Sequence, residues 1–406
     1  MKRFKCILST LWLFIFIFLT ASTNAQEKSP DSLLVRMDSV EISLLTCGPG
    51  PEIYSLYGHT AILIHAPSLA PDCVINYGMF SFRQKFFILR FIFGLTDYEM
   101  GITSYEQFLD EYREEGRWIR KQTLNLTRQE KWNIIQAINE NYQPENRVYR
   151  YNYFYDNCTT RAREIIVNHI NGKVEYTPHL TNDLTYRSMT HQWNEQHRWA
   201  RFGNDLLLGV KADVHTDLAE QQFLPDHLRI DFDQAKVINL SGKSKKLVTS
   251  DLYLIMPSRT GVHSHDIWQT FTPRLLALLA AILIIGLTFV EKWTQHYFWA
   301  LDLVLMLADG LAGLILFAMI FSQHPTVSLN FQILLLNPLN LVFLHPTLKH
   351  FRQGNCHWWA KAWIICLIMF LLLGFVQSYA EGMIFLALSL LIRYSVILIC
   401  NTRQKK

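Results

Sequence analysis

Two residues, Cys158 and His59, are of the types that together perform nucleophilic catalysis. Cys158 lies in "YFYDNCTTRAREIIVNHI" (153–170), between a polar turn and an amphipathic run. Asp156 or Asn157 can cap that run as a helix, which sets Cys158 in the first turn, near the positive end of the helix dipole. Such a position lowers a cysteine pKa from about 8.5 to between about 3.5 and 7.5. The pattern therefore predicts that Cys158 is a nucleophile.

A cysteine nucleophile needs a base, and the base needs an acceptor on its other ring nitrogen. His59 follows "YSLYG" and opens a segment rich in apolar and β-branched residues, so we expect its ring at the edge of a sheet. Asn76, on the strand that follows, is the candidate acceptor, and Tyr77 is the alternative. A purely structural asparagine in a hairpin remains equally compatible with the sequence.

Other roles for the cysteines stay open at this point. A Cys47–Cys73 disulfide would leave Cys158 as the odd thiol of the exported part, and a lone cysteine also serves as a small buried apolar residue. The sequence contains neither an HExxH nor a CxxC motif. We therefore expect no metal site, and the proposed chemistry needs no cofactor.

The two ends of the 406-residue chain differ in composition. Residues 1–25 have the positive start, short apolar run and small residues of a signal peptide, which is either cleaved or retained as an anchor. Residues 26–230 are predicted to form one exported domain, with strands at 41–47, 59–65 and 73–82 and a capped helix at 126–141. We expect a connector at 231–270, and "FFILRFIFG" is ambiguous.

Residues 271–400 contain five apolar stretches, each close to the ~20 residues that cross a hydrocarbon core. Lysines and arginines lie in alternate loops and in the tail at 401–406, whereas "SQHPTV" and "QSYAEG" carry neither. The signal peptide and this asymmetry predict the same topology, with the first domain in the periplasm and the tail in the cytoplasm. The net charge of +4 requires no nucleic-acid partner.

Three ionisable residues fall inside the apolar stretches, where an unpaired charge is unfavourable. Asp302 and Asp309 are seven positions apart and share one helix face, and Arg393 lies in the last stretch. The sequence predicts an intramembrane ion pair between Asp309 and Arg393, in preference to Asp302.

The segments "YSLYGHTAILI", "VINYGMFSF" and "YFYDNCTTRARE", with the apolar C-terminal part, resemble the bacteroidete-type lipoprotein N-acyltransferases. More distantly, a strand histidine that precedes a helix-start cysteine is similar to the circularly permuted papain-like and NlpC/P60-type enzymes. The resemblance implies an α+β, permuted papain-like exported domain followed by an all-α domain of five transmembrane helices in the bacterial inner membrane.

The resemblance also implies a function. Cys158 would take an acyl chain from a membrane phospholipid as a thioester, with His59 as base and Asn76 as our inferred third member. The chain would then pass to the α-amine of a diacylglyceryl-cysteine lipoprotein. Two alternatives stay open: a periplasmic cysteine hydrolase acting on lipids or peptidoglycan peptides, and a non-catalytic membrane assembly factor.

Overall fold

The exported part is built on a seven-stranded antiparallel sheet. The computed structural model describes residues 34–67, 69–80, 85–177, 184–257 and 270–403, so the predicted signal peptide lies outside the described residues. The strands are β1 (Glu41–Cys47), β2 (His59–His65), β3 (Cys73–Met79), β4 (Asp97–Ser104), β5 (Ile119–Leu124), β6 (Val148–Arg150), β7 (Lys173–Glu175), β8 (Lys236–Ile238), β9 (Ser244–Lys246) and β10 (Val248–Ile255). The order in the main sheet is β10-β5-β1-β2-β3-β4-β6, and β7-β8-β9 form a small second sheet.

Helices cover both faces of the main sheet. Those of the exported part are α1 (Phe87–Ile92), α2 (Tyr105–Glu114), α3 (Arg128–Asn141), α4 (Cys158–Val167), α5 (Tyr186–Asn194), α6 (Arg198–Leu207), α7 (Leu218–Gln221) and α8 (Pro225–Gln234). One face packs its apolar side chains against α3, α4 and α8, and the opposite face packs against α2. Because helices cover both faces, six successive residues of β1 are buried, instead of every second one.

The early strands and the helix of the first domain follow the predicted pattern. β1 and β2 have the predicted bounds, and β2 pairs with β3 as an antiparallel hairpin. Thr127 and Glu130 form the reciprocal hydrogen bonds of a capping box at the start of α3. The ambiguous "FFILRFIFG" contains α1, a short helix that begins at Phe87.

The predicted connector at 231–270 is wrong for its first half. α8 continues to Gln234, and β8, β9 and β10 follow. β10 pairs with β5 along its length, with two register shifts, and so forms an edge of the main sheet. The sheet therefore extends beyond residue 230, because Val248 and the residues after it supply the hydrogen-bonding partner that β5 needs.

The C-terminal part is helical and apolar. Its helices are α9 (Pro273–Thr294), α10 (Trp299–Met319), α11 (Leu339–Val342), α12 (Leu344–Arg352), α13 (Trp358–Leu373) and α14 (Met383–Arg403). Both α9 and α10 are long and apolar enough to cross a membrane, and α13 is a shorter apolar helix.

The third apolar stretch is not the continuous span that the sequence suggests. It contains a 3₁₀ turn at Phe331–Leu334, then α11, and a 79° bend before α12. Pro338 lacks the N–H that a continuing helix would use, which accounts for the interruption between the 3₁₀ turn and α11. Irregular backbone is tolerated at membrane depth where protein surrounds it, and this segment packs against α10 and α13.

The broken segment nevertheless connects the two ends of the bundle. At its start, the Gln332 side chain donates to the Asp205 carbonyl oxygen in α6, at 2.8 Å. At its end, the Arg352 guanidinium lies 4.2 Å from the ring centroid of Trp299, which begins α10. The segment thus runs from the end of the bundle that contacts the exported domain to the opposite end.

Buried amide side chains join α6 to this bundle. Asn330 donates to the Leu206 carbonyl oxygen at 2.8 Å, and Gln377 donates to the Leu208 carbonyl oxygen at 3.1 Å. An ion pair between Arg198 and Glu381, at 2.6 Å, lies at the same end of the bundle. The amide side chains thus donate to carbonyl groups at the C-terminal end of α6, which have no acceptor role left within the helix.

The predicted pair between Asp309 and Arg393 is wrong, because Arg393 binds Asp302 instead. Arg393 Nε and Nη2 donate to the two carboxylate oxygens of Asp302, each at 2.7 Å. Arg393 Nη1 reaches Thr288 and Glu291, so the guanidinium is surrounded by acceptors at the end of α10 where Asp302 lies. Asp309 lies two turns further along α10, away from Arg393. Within the described residues its Oδ2 has no hydrogen-bond partner.

Candidate active site

Cys158 is the first residue of α4. The cap is Asn157, whose Oδ1 accepts from the N–H groups of Thr159 and Thr160 at 2.8 and 2.9 Å. The Asn157 amide also donates to the carbonyl oxygens of Tyr153 and Phe223, so the cap is itself held in place. The cap thus pairs the second and third N–H groups of the helix and does not use the first, which belongs to Cys158. Cys158 is partly exposed, and its N–H has no hydrogen-bond partner within the described residues.

His59 is the first residue of β2, and a tight turn delivers it there. Gly58 has φ +79°, and a Cβ at this position would lie 2.6 Å from the carbonyl oxygen of Cys47. Glycine therefore permits a close approach of two backbones that any other residue would prevent. The preceding residue, Tyr57, is fixed from outside the sheet, because its hydroxyl accepts from the Asn194 and Asn204 amides at 3.2 and 2.7 Å.

The fold brings all three predicted site residues together. His59 Nε2 lies 3.2 Å from Asn76 Oδ1, and the Asn76 amide donates to Thr103 Oγ1 at 3.0 Å. The thiol of Cys158 and the imidazole of His59 are close enough for each to shift the pKa of the other. Since Nε2 faces Asn76, Nδ1 is the ring nitrogen that serves the sulfur. Tyr77, the alternative acceptor, instead donates to Asn141 at 2.8 Å.

The electrostatics of the site favour an ionised pair. Desolvation opposes ionisation of Cys158, but the charge of His59 and hydrogen bonds from His59, Thr60 and Thr159 outweigh it and lower the pKa of the thiol to about 7. For His59, desolvation lowers the pKa, while the charge of Cys158 and bonds to Cys158 and Asn76 outweigh it and raise the pKa. The two shifts together favour a thiolate beside an imidazolium.

Two threonines in the site were missed by the sequence reasoning. Thr60 Oγ1 lies 3.0 Å from Thr159 Oγ1, a contact that ties the start of β2 to the start of α4. Thr159 Oγ1 is also 3.8 Å from the Cys158 sulfur. Thr60 directly follows His59, and Thr159 directly follows Cys158. These adjacent positions are the feature of the sequence that could have pointed to the two threonines.

The other exported cysteines have structural positions. Cys47 and Cys73 are both free thiols, so the alternative of a disulfide between them is wrong. Cys47 pairs with His59 at one end of β2, whereas Cys73 pairs with Ile64 near the other end. Burial raises the pKa of Cys47 to about 12 and that of Cys73 to about 11, which leaves both thiols protonated.

Metal chemistry has no candidate centre in the described ranges: no group of three or more His, Cys, Asp or Glu side chains there could hold a metal ion. His65, the other histidine of β2, bonds to Asp72 at 2.7 Å at the far end of the strand from the thiol.

Comparison with known families assigns both parts of the chain to one family. The model of the Lnb N-terminal periplasmic domain matches residues 32–192, and that of the Lnb transmembrane domain matches residues 264–405. The chain belongs to the Lnb family. No curated protein and no solved structure matches the chain.

Membership in the Lnb family has consequences for several predictions. The predicted α+β fold, a sheet-rich domain followed by a helical region, is confirmed. The Lnb domains identify a membrane protein with a periplasmic N-terminal domain and indicate a lipoprotein-modifying membrane enzyme. The likeness to permuted papain-like enzymes stays a prediction, although the order of His59 on β2 and Cys158 on α4 is the one expected.

Proposed function

We propose that this member of the Lnb family is a lipoprotein N-acyltransferase that carries an acyl chain on Cys158. The observation that supports this most is the Cys158–His59–Asn76 arrangement in a domain that packs directly on a helical membrane region. A thiolate-forming cysteine with an oriented imidazole is the apparatus of acyl transfer. Placement against the bundle suits a donor and an acceptor that are both anchored in lipid.

In the first half-reaction, the Cys158 thiolate attacks an ester carbonyl of a phospholipid. The carbonyl oxygen becomes an oxyanion, for which the N–H of Cys158 at the start of α4 is a fitting donor. The ester C–O bond then breaks, and the imidazolium of His59 gives its proton to the departing alkoxide. The products are a thioester on the sulfur and a lysophospholipid.

In the second half-reaction, the α-amine of a diacylglyceryl-cysteine attacks the thioester carbonyl. The neutral His59 accepts a proton from the attacking amine, and the C–S bond breaks to release the thiolate. An amide forms on the lipoprotein, and the site returns to the thiolate–imidazolium pair. The Asn76 carbonyl oxygen holds the ring in one orientation through both steps.

We also propose that the chain crosses the bacterial inner membrane five times, with its C-terminus in the cytoplasm. The broken segment contributes one crossing, because it links opposite ends of the bundle. Lys349 and Arg352 lie at the end of the bundle away from the exported domain, together with Lys292 in the last turn of α9. This distribution of charge agrees with the positive-inside rule.

The first experiment looks for the covalent intermediate. Purified full-length protein in detergent micelles is incubated with a phospholipid, quenched in acid and measured by intact-protein mass spectrometry. We expect one added acyl mass on the Cys158 peptide and its removal by hydroxylamine, with no adduct in Cys158→Ser. Full retention of function by folded Cys158→Ser would instead support a non-catalytic assembly factor.

The second experiment identifies the acceptor. A diacylated lipopeptide is added to the acylated protein, and the N-terminal fragment of the product is sequenced by tandem mass spectrometry. An N-linked acyl chain supports the transferase. Release of free fatty acid with an unmodified lipopeptide would instead indicate a cysteine hydrolase.

A further inference from the structure

A row of aromatic side chains leads from the thiol to the surface of the exported domain. Tyr151 stacks on Tyr98 with ring centroids 4.1 Å apart, and Tyr98 stacks on Phe80 at 4.9 Å. Tyr54 meets Phe80 edge to face at 5.7 Å. The row adjoins the nucleophile: a Cβ placed on Gly78, two residues before Phe80, would lie 3.7 Å from Cys158 Cβ, and Tyr151 and Cys158 pack against the same core. Tyr54, at the other end of the row, is 62% exposed.

The chain that leaves Phe80 leads to α1, and α1 lies beside the end of α10 that faces the exported domain. Gln323, just after α10, donates its N–H to the Phe93 carbonyl oxygen at 3.0 Å. The ring centroids of Phe91 and His324 are 6.4 Å apart. These contacts place α1 at the level where α10 leaves the membrane.

At this level α1 presents apolar side chains outward. Phe86, Leu89 and Phe91 are 76, 53 and 46% exposed, and the adjoining end of α10 carries Phe317 and Phe321, which are also exposed. Such a group of large apolar side chains is unfavourable in water but typical of an element that lies in the membrane interface. Because α1 lies beside the end of α10, we take the apolar side chains of α1 to be covered by lipid of the outer leaflet.

We infer that α1 and the aromatic row form the site for the acyl chain of the donor, with α1 as the entrance from the bilayer and the row as the wall beside the thioester. This inference rests on the proposed function and adds to it the position and class of the ligand: a long acyl chain of a glycerophospholipid. Aromatic faces suit a methylene chain because they offer a large rigid apolar area.

The geometry also explains how a bound chain is positioned for reaction. The Cys158 thiolate lies at the inner end of the row, so a chain laid along it brings the ester carbonyl to the sulfur. Binding energy gained along the chain is then used to orient the reacting group. A donor with a very short chain cannot reach the outer rings and gains none of this energy.

The test compares two donors at Cys158. Full-length protein in micelles is acylated with a long-chain phosphatidylethanolamine and, separately, with an acetyl ester of a good leaving group, and both rates are followed by intact mass. Tyr54→Ala and Phe86→Ser are the variants, chosen because both side chains are largely exposed and folding is little affected. Tyr253→Ala, an exposed tyrosine on β10 at the opposite edge of the sheet, is the matched control.

We expect each variant to lower the ratio of long-chain to acetyl rates about tenfold, which is the effect of losing about two methylene contacts. The control should keep the wild-type ratio. If both variants also keep it, the acyl site lies elsewhere and this inference fails. If wild-type protein accepts acetyl but never a phospholipid acyl chain, the proposed function itself fails, so the two failures are distinguishable.

Discussion

The reactivity of Cys158 should depend on His59 in a way that a pH profile can measure. His59→Ala removes both the positive charge and the hydrogen bond that lower the pKa of the thiol to about 7, and it leaves most of the desolvation that raises it. We therefore expect the pKa of the thiol to return to about its ordinary value of 9.0. The thiolate fraction at pH 7 would fall from about one half to about one hundredth.

The rate at pH 7 should fall by less than this loss of thiolate. A thiolate with a higher pKa is a better nucleophile, with a Brønsted slope of about 0.4–0.5. Two pKa units thus return a factor of about 6–10, and the net slowing at pH 7 is about five- to eightfold. The midpoint of the profile, in contrast, should move from about 7 to about 9 or above, which makes the midpoint the decisive quantity.

The assay is the reaction of full-length protein with a pyridyl disulfide, quenched in acid and quantified on the Cys158 peptide by mass spectrometry. In wild-type protein the rate should level off above pH 7 and fall about tenfold per unit below it, as the thiolate is protonated. Cys47 and Cys73 are internal controls that should stay unlabelled, because burial raises their pKa values. A folded His59→Ala protein with its midpoint still near 7 would refute the reasoning.

Further predictions concern the elements that hold the site and the bundle. Arg393→Leu should lower the free energy of unfolding by about 3–5 kcal/mol, because it leaves Asp302 buried and unpaired. Thermal melting in micelles measures this loss, and a second substitution, Asp302→Leu, should recover part of it. An unchanged melting temperature in Arg393→Leu would contradict the pairing. Asn157→Ala removes a cap that pairs two N–H groups and should cost about 1–2 kcal/mol in the same assay; an unchanged melting temperature would show that the cap adds nothing to stability. Gly58→Ala places a Cβ against the Cys47 carbonyl oxygen, at a positive φ, and should slow acylation at least about tenfold by displacing the base; a wild-type acylation rate would show that the turn tolerates a side chain.

The juxtaposition of the three proposed site residues could be predicted because their signals are local. A capping residue before Cys158 and a glycine before His59 each describe a short stretch of backbone, and adjacent antiparallel strands bring Asn76 beside the base. The contact between Thr60 and Thr159 could not be predicted in this way, because it depends on how α4 packs over the start of β2.

The failures concern long-range geometry. The seven-residue spacing places Asp302 and Asp309 on one helix face, but it does not indicate which of the two lies at the depth of Arg393. In the structure Arg393 also bonds to Glu291 and Thr288, and these acceptors lie at the depth of Asp302. The third apolar stretch is long enough for a transmembrane helix, but it contains two prolines and forms two short helices with a bend between them. β10 was overlooked because an edge strand with one exposed face has a weak apolar pattern.

The hydrogen bonds that hold Tyr57 connect the position of His59, the proposed base, to the transmembrane part of the protein. The tyrosine one residue before Gly58 is held by amides of α5 and α6, and the end of α6 is held in turn by Asn330, Gln332 and Gln377. Severing the chain near residue 257 would remove that second set of bonds, so α6 would hold Tyr57 without being held at its own end. We therefore expect a fragment that ends there to hold its imidazole less firmly than the intact molecule does.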